Sequence, residues 1–140
     1  MKEEQIKILF VDDEPWGTEA LRLKLEGRGF ICKTATDMSS AFRLLDQEKF
    51  EVIVTDIMMS AGPDFPNIES SRTGIEFIKM LKTLRNKYQN MQIICLSVIG
   101  EQQIINDLKK RGVLYLRKGE TSLDVASKLI ESKAKGIISF

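Results

Sequence analysis

Five short, nearly continuous apolar runs, each followed by a longer segment of helical pattern, constrain this chain more than any other feature. The runs are 6–11, 30–35, 52–55, 91–96 and 113–116. Short runs that are apolar throughout read as strands buried on both faces. Between them the spacing changes to that of helices. Pro15 suits the first turn of a helix populated by Leu21, Leu23 and Leu25 and stopped at Gly27 and Gly29. Asp37 or Ser39 caps the next, with a stripe of Ala41, Phe42, Leu44 and Leu45. Ile75, Phe77, Ile78, Leu81 and Leu84 mark a third helix, and Ile104, Ile105 and Leu108 a fourth that ends at Gly112. Leu123, Val125, Ala126, Leu129 and Ile130 define the last. Strict alternation of this kind predicts a parallel sheet with helices on both faces. Five units in 140 residues predict one domain with an open doubly wound sheet, since a closed eight-unit barrel needs far more chain.

In such sheets ligands bind beyond the carboxyl ends of the strands, and the polar residues gather there. The first run ends in Asp12-Asp13, the third in Asp56, and Ser97 and Lys118 follow the fourth and fifth. Three carboxylates converging on one point repel one another unless a cation joins them or a proton is taken up. A hard divalent cation such as Mg²⁺, which prefers oxygen ligands, resolves that repulsion.

Composition removes several alternatives. Hydrophobic residues make up 43% and charged residues 29%, an ordinary globular balance. With 21 Lys and Arg against 20 Asp and Glu, the net charge of +1 gives no bulk basicity for nucleic acid or an anionic membrane. No apolar stretch approaches the ~18 residues of a membrane span, and the opening run reads as a strand rather than a signal peptide, so a cytoplasmic location is expected. Histidine is absent, which rules out a Ser-His-Asp triad, a Cys-His dyad, a phosphohistidine carrier and histidine-ligated zinc within the chain. Cys32 and Cys95 lie in separate apolar segments without metal-type spacing and read as buried thiols.

The connection 57–73 is the anomaly. It holds Gly62, Pro63, Pro66, Asn67, Ser70 and Ser71 and far exceeds the ~2–6 residues usual between strand and helix. It begins directly after Asp56, so it must lie beside the site.

The order Val11-Asp12-Asp13-Glu14, Asp56, Ser97 and Lys118, each at a strand end, resembles the receiver domain of two-component response regulators, and the resemblance covers essentially the whole chain. It implies a five-stranded parallel sheet of order 2-1-3-4-5, flavodoxin-like, and a module that accepts a phosphoryl group from a histidine kinase or phosphotransfer protein. By position it makes Asp56 the phosphoacceptor, Asp13 a direct ligand of Mg²⁺, Asp12 a helper through water, and the Met58 carbonyl a further ligand. Lys118 and Ser97 would meet phosphoryl oxygens, and Tyr115 would be the switch aromatic coupled to Ser97. Output would leave by altered protein binding or self-association through the face of the fourth helix, fifth strand and last helix, which carries Lys109, Lys110, Arg111 and Arg117.

Some positions depart from the family pattern. Val98 stands where a small residue is usual, Gly119 replaces the proline after the lysine, and Ser60 replaces the proline four residues past the acceptor. The usual glycine further on corresponds to Gly74, which implies an insertion of roughly ten residues. Met58 and Ile99, two residues beyond Asp56 and Ser97, are apolar and cannot orient a hydrolytic water, so slow loss of the phosphoryl group is expected. Two other readings remain open from sequence. One is a Mg²⁺-dependent phosphohydrolase with an aspartate nucleophile, against which the adjacent rather than alternating aspartates argue. The other is a degenerate receiver acting as a phosphorylation-independent scaffold. The 2-1-3-4-5 order also sets Cys32 and Cys95 three strand spacings apart, about 14 Å, too far for a disulfide.

Overall fold

The computed structural model describes residues 5–88, 90–98 and 100–136, so Ile99 falls outside the described residues. Five strands, β1 (Lys7–Val11), β2 (Ile31–Ala35), β3 (Val52–Thr55), β4 (Gln92–Ser97) and β5 (Leu114–Arg117), form one sheet of order β2-β1-β3-β4-β5. Every pairing is parallel. The helices are α1 (Glu19–Glu26), α2 (Met38–Gln47), α3 (Thr73–Thr83), α4 (Gln102–Lys110) and α5 (Leu123–Gly136). Short helical turns at Pro15–Thr18, Ser70–Arg72 and Arg85–Tyr88 complete the described elements. The expected fold class and strand order are both present.

Alternate residues of each strand feed two cores. Leu9, Val11 and Ile53 pack with Met38, Ala41, Phe77 and Ile78 of α2 and α3. Ile8, Phe10, Val52 and Val54 pack with Leu21 and Leu25 of α1 and Ala126, Ile130 and Ala134 of α5. Both sets are buried, which is why the strands read as continuous rather than alternating. Each fully buried large side chain stabilises the fold by roughly 1.5–3 kcal/mol relative to exposure.

The helices bury fewer of the expected residues than their apolar count suggests. Leu21 and Leu25, four apart, face the sheet, whereas Leu23 is 61% exposed because two residues rotate a helix by more than half a turn. In α5 the buried series is Ala126, Ile130 and Ala134, and Leu123, Val125 and Leu129 are exposed. Leu84 is likewise exposed, just beyond α3. At α2 the choice of cap resolves to Asp37, whose carboxylate accepts the Ser40 N–H at 2.7 Å. Cys32 and Cys95 are free thiols, and burial pushes both up to about 12.

Two glycines serve close approach and positive φ. Gly74 sits where an added Cβ would lie 2.0 Å from the Asp56 carbonyl oxygen, so α3 starts against the end of β3. Gly62, at φ +92°, leaves no room for a side chain against Ser39.

Candidate functional site

Strand register delivers the acids. Val11 pairs with Thr55 across β1 and β3, so Asp12 and Asp56 leave adjacent strands at the same level. Their backbone amides are fixed by the sheet, Asp12 N donating to Ala35 O and Asp56 N to Val11 O, both at 3.0 Å. Both side chains are buried. Asp12 Oδ1 accepts the Glu14 N–H at 2.9 Å, and Asp56 Oδ1 accepts the Ile57 N–H at 2.7 Å. The second oxygen of each meets one ammonium. Lys118 Nζ donates to Asp12 Oδ2 at 2.6 Å and to Asp56 Oδ2 at 3.0 Å.

Lys118 reaches this point from the far side of the sheet because β4 and β5 end together. Ser97 pairs with Arg117, and the Lys118 N–H donates to the Ser97 carbonyl at 2.9 Å. Ser97 is fully buried as the last residue of β4. Beyond Lys118 the chain turns through Gly119 at φ +83°, a conformation closed to the proline usual there. Burial works to lower the Lys118 pKa, but the hydrogen bonds and charges of Asp12 and Asp56 outweigh it, and the ammonium titrates above its ordinary value.

Asp13 behaves differently from its neighbour. Successive residues leave a strand on opposite sides, and Asp13 is exposed while Asp12 is buried. Its carboxyl is raised by partial burial and then by the charges of Asp12, Glu14 and Asp56. The expected convergence of three carboxylates therefore narrows to two on Lys118, and no three acidic, cysteine or histidine side chains among the described residues close on a metal-sized point. The donor chemistry nevertheless fits a hard cation. Asp12 and Asp56 share one ammonium, and the Asp13 carboxyl is close enough to feel the charges of both, leaving an excess of oxygen donors and negative charge. Mg²⁺ takes only one or two carboxylates and keeps several waters. Met58 lies in the bend after Asp56 with its side chain 46% exposed.

Tyr115 is partly buried against the α2–α3 core, and burial, followed by the neighbouring Cys95 thiol, raises its phenol above the ordinary range. Val98 is 61% exposed at the mouth beside Ser97, and Trp16 is 69% exposed at the entry to α1.

Sequence reasoning missed two contributors. Thr18 is buried against the inner side of Asp12 and Asp56, its hydroxyl donating to the Pro15 carbonyl and accepting from Arg22. The four-residue spacing of Thr18 and Arg22 was the available signal. The second is the long connection, which is folded rather than loose. Ile57, Met59 and Ala61 are buried, and Phe65 and Ile68 pack on the core. Met59 N donates to Ser70 O at 3.0 Å and Gly74 N to Ile57 O at 2.8 Å, closing the connection on itself. Ser39 clasps it to α2, its hydroxyl donating to the Ala61 carbonyl and accepting the Asp64 N–H. The i, i+2 spacing of Ile57, Met59 and Ala61 was the legible trace.

The profile of the Response regulator receiver domain family matches residues 8–129, and the chain belongs to that family. Among solved structures it is similar to the chemotaxis response regulator CheY4 of Vibrio cholerae, at 23% identity and TM-score 0.73, covering 93% of this chain and 99% of that one. A Burkholderia pseudomallei response regulator is similar at 21% identity and TM-score 0.67, covering 93% of this chain and 66% of the other. An uncharacterized 14.6 kDa protein of Leptolyngbya boryana is 38% identical over 55 residues. That match spans 39% of this chain and 42% of the relative. The protein is thus a receiver module of two-component signalling, a family that works with histidine kinases and is typically Mg²⁺-dependent and non-enzymatic. Family membership favours a signalling module over the phosphohydrolase alternative. No helix among the described residues is long and apolar enough to cross a membrane.

Proposed function

We propose that this chain, as one receiver domain, accepts a phosphoryl group on Asp56 from the phosphohistidine of a kinase or phosphotransfer protein. The observation that carries the reading is the bridge made by Lys118 between the buried carboxylates of Asp12 and Asp56. It gathers two carboxylates and an ammonium within one hydrogen-bonded group at the carboxyl edge of the sheet, which supports Asp56 as the nucleophile. The Burkholderia structure, described as holding a phosphorylated aspartic acid and a calcium ion, is in keeping with such chemistry on this fold.

In the transfer, an Asp56 oxygen forms the new O–P bond while the P–N bond of the donor breaks and its electron pair returns to the imidazole. Catalysis of this kind is mostly positioning and charge stabilisation. The Ile57 N–H and Lys118 orient the Asp56 carboxylate, and Lys118 then turns its ammonium to a phosphoryl oxygen as negative charge builds. Ser97 supplies a hydroxyl to another oxygen. Bound Mg²⁺, held by Asp13, Asp56 and the Met58 carbonyl with Asp12 acting through water, would neutralise the approaching phosphoryl charge. Met58, unable to hydrogen-bond a water, keeps the product slow to hydrolyse. Tyr115 couples the movement of Ser97 to the α4-β5-α5 face, through which a downstream protein or a second copy is bound.

Incubation with Mg²⁺ and a small acyl phosphate should add one acid-labile, hydroxylamine-sensitive phosphoryl group. Mass spectrometry should find it on the wild type and not on Asp56→Asn. Equal modification of Asp56→Asn refutes the acceptor assignment.

A further inference from the structure

The folded connection builds a surface that shares only Asp13 with the proposed phosphoryl chemistry. An open groove of about 360 Å³ runs beside the acidic edge, lined by Asp13, Ser60, Phe65, Pro66, Ile68 and Ser70. Its volume lies near the lower end of binding clefts and admits one or two large side chains. Its floor is pre-formed. Phe65 sits 5.9 Å from Phe42, which meets Phe77 edge-on at 5.2 Å, and the Ser39 clasp fixes the chain on either side of Gly62. A tolerated insertion would be a mobile surface loop. Here about ten added residues pack on the core yet leave Pro66 exposed and Phe65 and Ile68 partly open, and a surface built in advance in this way, part apolar and part polar, loses little entropy on binding.

The charge around the groove is mainly negative. From 57 to 73 the chain carries Asp64 and Glu69 against Arg72. All three are exposed, as are Asp13 and Glu14. The basic residues Lys109, Lys110 and Arg117 are exposed on α4 and β5, elsewhere on the molecule. An anionic ligand is disfavoured at this rim, whereas a partner presenting apolar side chains flanked by arginine or lysine matches both groove and rim.

We infer that the 57–73 connection is a docking element, and that its groove takes an apolar segment with interspersed basic residues from a partner protein. This goes beyond phosphoryl acceptance and does not rest on it. The probe is a labelled nine-residue peptide of alternating leucine and arginine. Controls replace arginine by glutamate or leucine by serine. Fluorescence anisotropy should show saturable binding of the leucine–arginine peptide, with both controls weaker. Backbone amide shifts should concentrate at 60–70. The charge reversal Asp64→Lys with Glu69→Lys touches only exposed side chains; it should weaken binding about tenfold and favour the glutamate peptide. Asp56→Asn should bind as the wild type does, so a failed acceptor assignment and a failed docking surface are told apart. Absence of binding, affinity unchanged by the charge reversal, or shifts centred on α4 and β5 overturns the inference. So does wild-type self-association that the charge reversal abolishes, because a second copy then fills the groove.

Discussion

The strand-end site and the 57–73 connection share one edge of the sheet but are held by different physics. At the site, Lys118 joins two buried carboxylates whose backbones are fixed by β1 and β3. The connection is held by buried Met59 and Ala61, the Phe65–Phe42 contact and backbone hydrogen bonds such as Met59 to Ser70. Charge placed by register makes the first, and packing makes the second. A perturbation of one should therefore move the other only where they touch, at Asp56, Ile57 and Gly74.

That contact is the place to break the distinction. Gly74→Ala would set a Cβ 2.0 Å from the Asp56 carbonyl oxygen and 2.5 Å from the Ile57 Cα, both backbone atoms with little freedom to yield. The expected cost is about 3 kcal/mol or more in urea unfolding, with loss of acyl-phosphate modification. A variant as stable as the wild type would mean that the start of α3 does not position the acceptor.

The second perturbation sharpens the charge side. Lys118→Ala leaves Asp12 and Asp56 buried without their ammonium. Losing one partner of a buried pair costs about 3–5 kcal/mol, but Lys118 retains 23% of its side-chain exposure, so about 2 kcal/mol is expected without Mg²⁺. Added Mg²⁺ should recover part of it, measured as a shift in the urea midpoint. Because the Lys118 pKa is raised in the fold, its contribution is complete below the unfolded-state value of ~10.4 and is lost only as pH rises through the higher folded value. Stability should therefore be insensitive to this group across neutral pH.

Gly62→Ala tests the packing side alone. A side chain there meets both positive φ and the Ser39 hydroxyl, whose Oγ would lie 2.5 Å from the new Cβ. A loss of about 1–2 kcal/mol is expected. Phosphorylation of Asp56 should survive, because the strand ends remain in register. Loss of phosphorylation at unchanged stability would show instead that the connection shapes the acceptor.

The same contrast explains what could be read in advance. Continuous apolar strands dictate a parallel sheet, and the polar residues at their ends mark a candidate site, so the grouping of Asp12, Asp56 and Lys118 was legible from position. Side-chain direction was not. Leu23, Leu123 and Leu129 fit a helical count but face solvent, because hydrophobicity does not say which neighbour a helix lacks. The buried run of Ile57, Met59 and Ala61 was masked by proline, glycine and serine around it, since those residues mark turns whether or not the turn packs. Ser39 read as a possible cap; its use as a clasp depends on a loop that is distant in sequence.

The smallest expected effect falls on the aspartate that did not join its neighbours. Partial burial, followed by Asp12, Glu14 and Asp56, raises the Asp13 pKa. A carboxyl raised in the fold binds more protons folded than unfolded between the two values. Within that window above ~4, stability falls as pH rises, and at neutral pH the ionised group is a net cost. Asp13→Asn removes the charge and should stabilise the metal-free protein at pH 7, by less than about 1 kcal/mol because the residue is exposed. Trp16, the only tryptophan, lies three residues away and is solvent-facing, so its fluorescence can follow a Mg²⁺ titration. The same variant should lose the Mg²⁺ response that the wild type gives. A gain in stability without loss of that response would separate Asp13 from the metal and leave Asp12 and Asp56 as its carboxylate ligands.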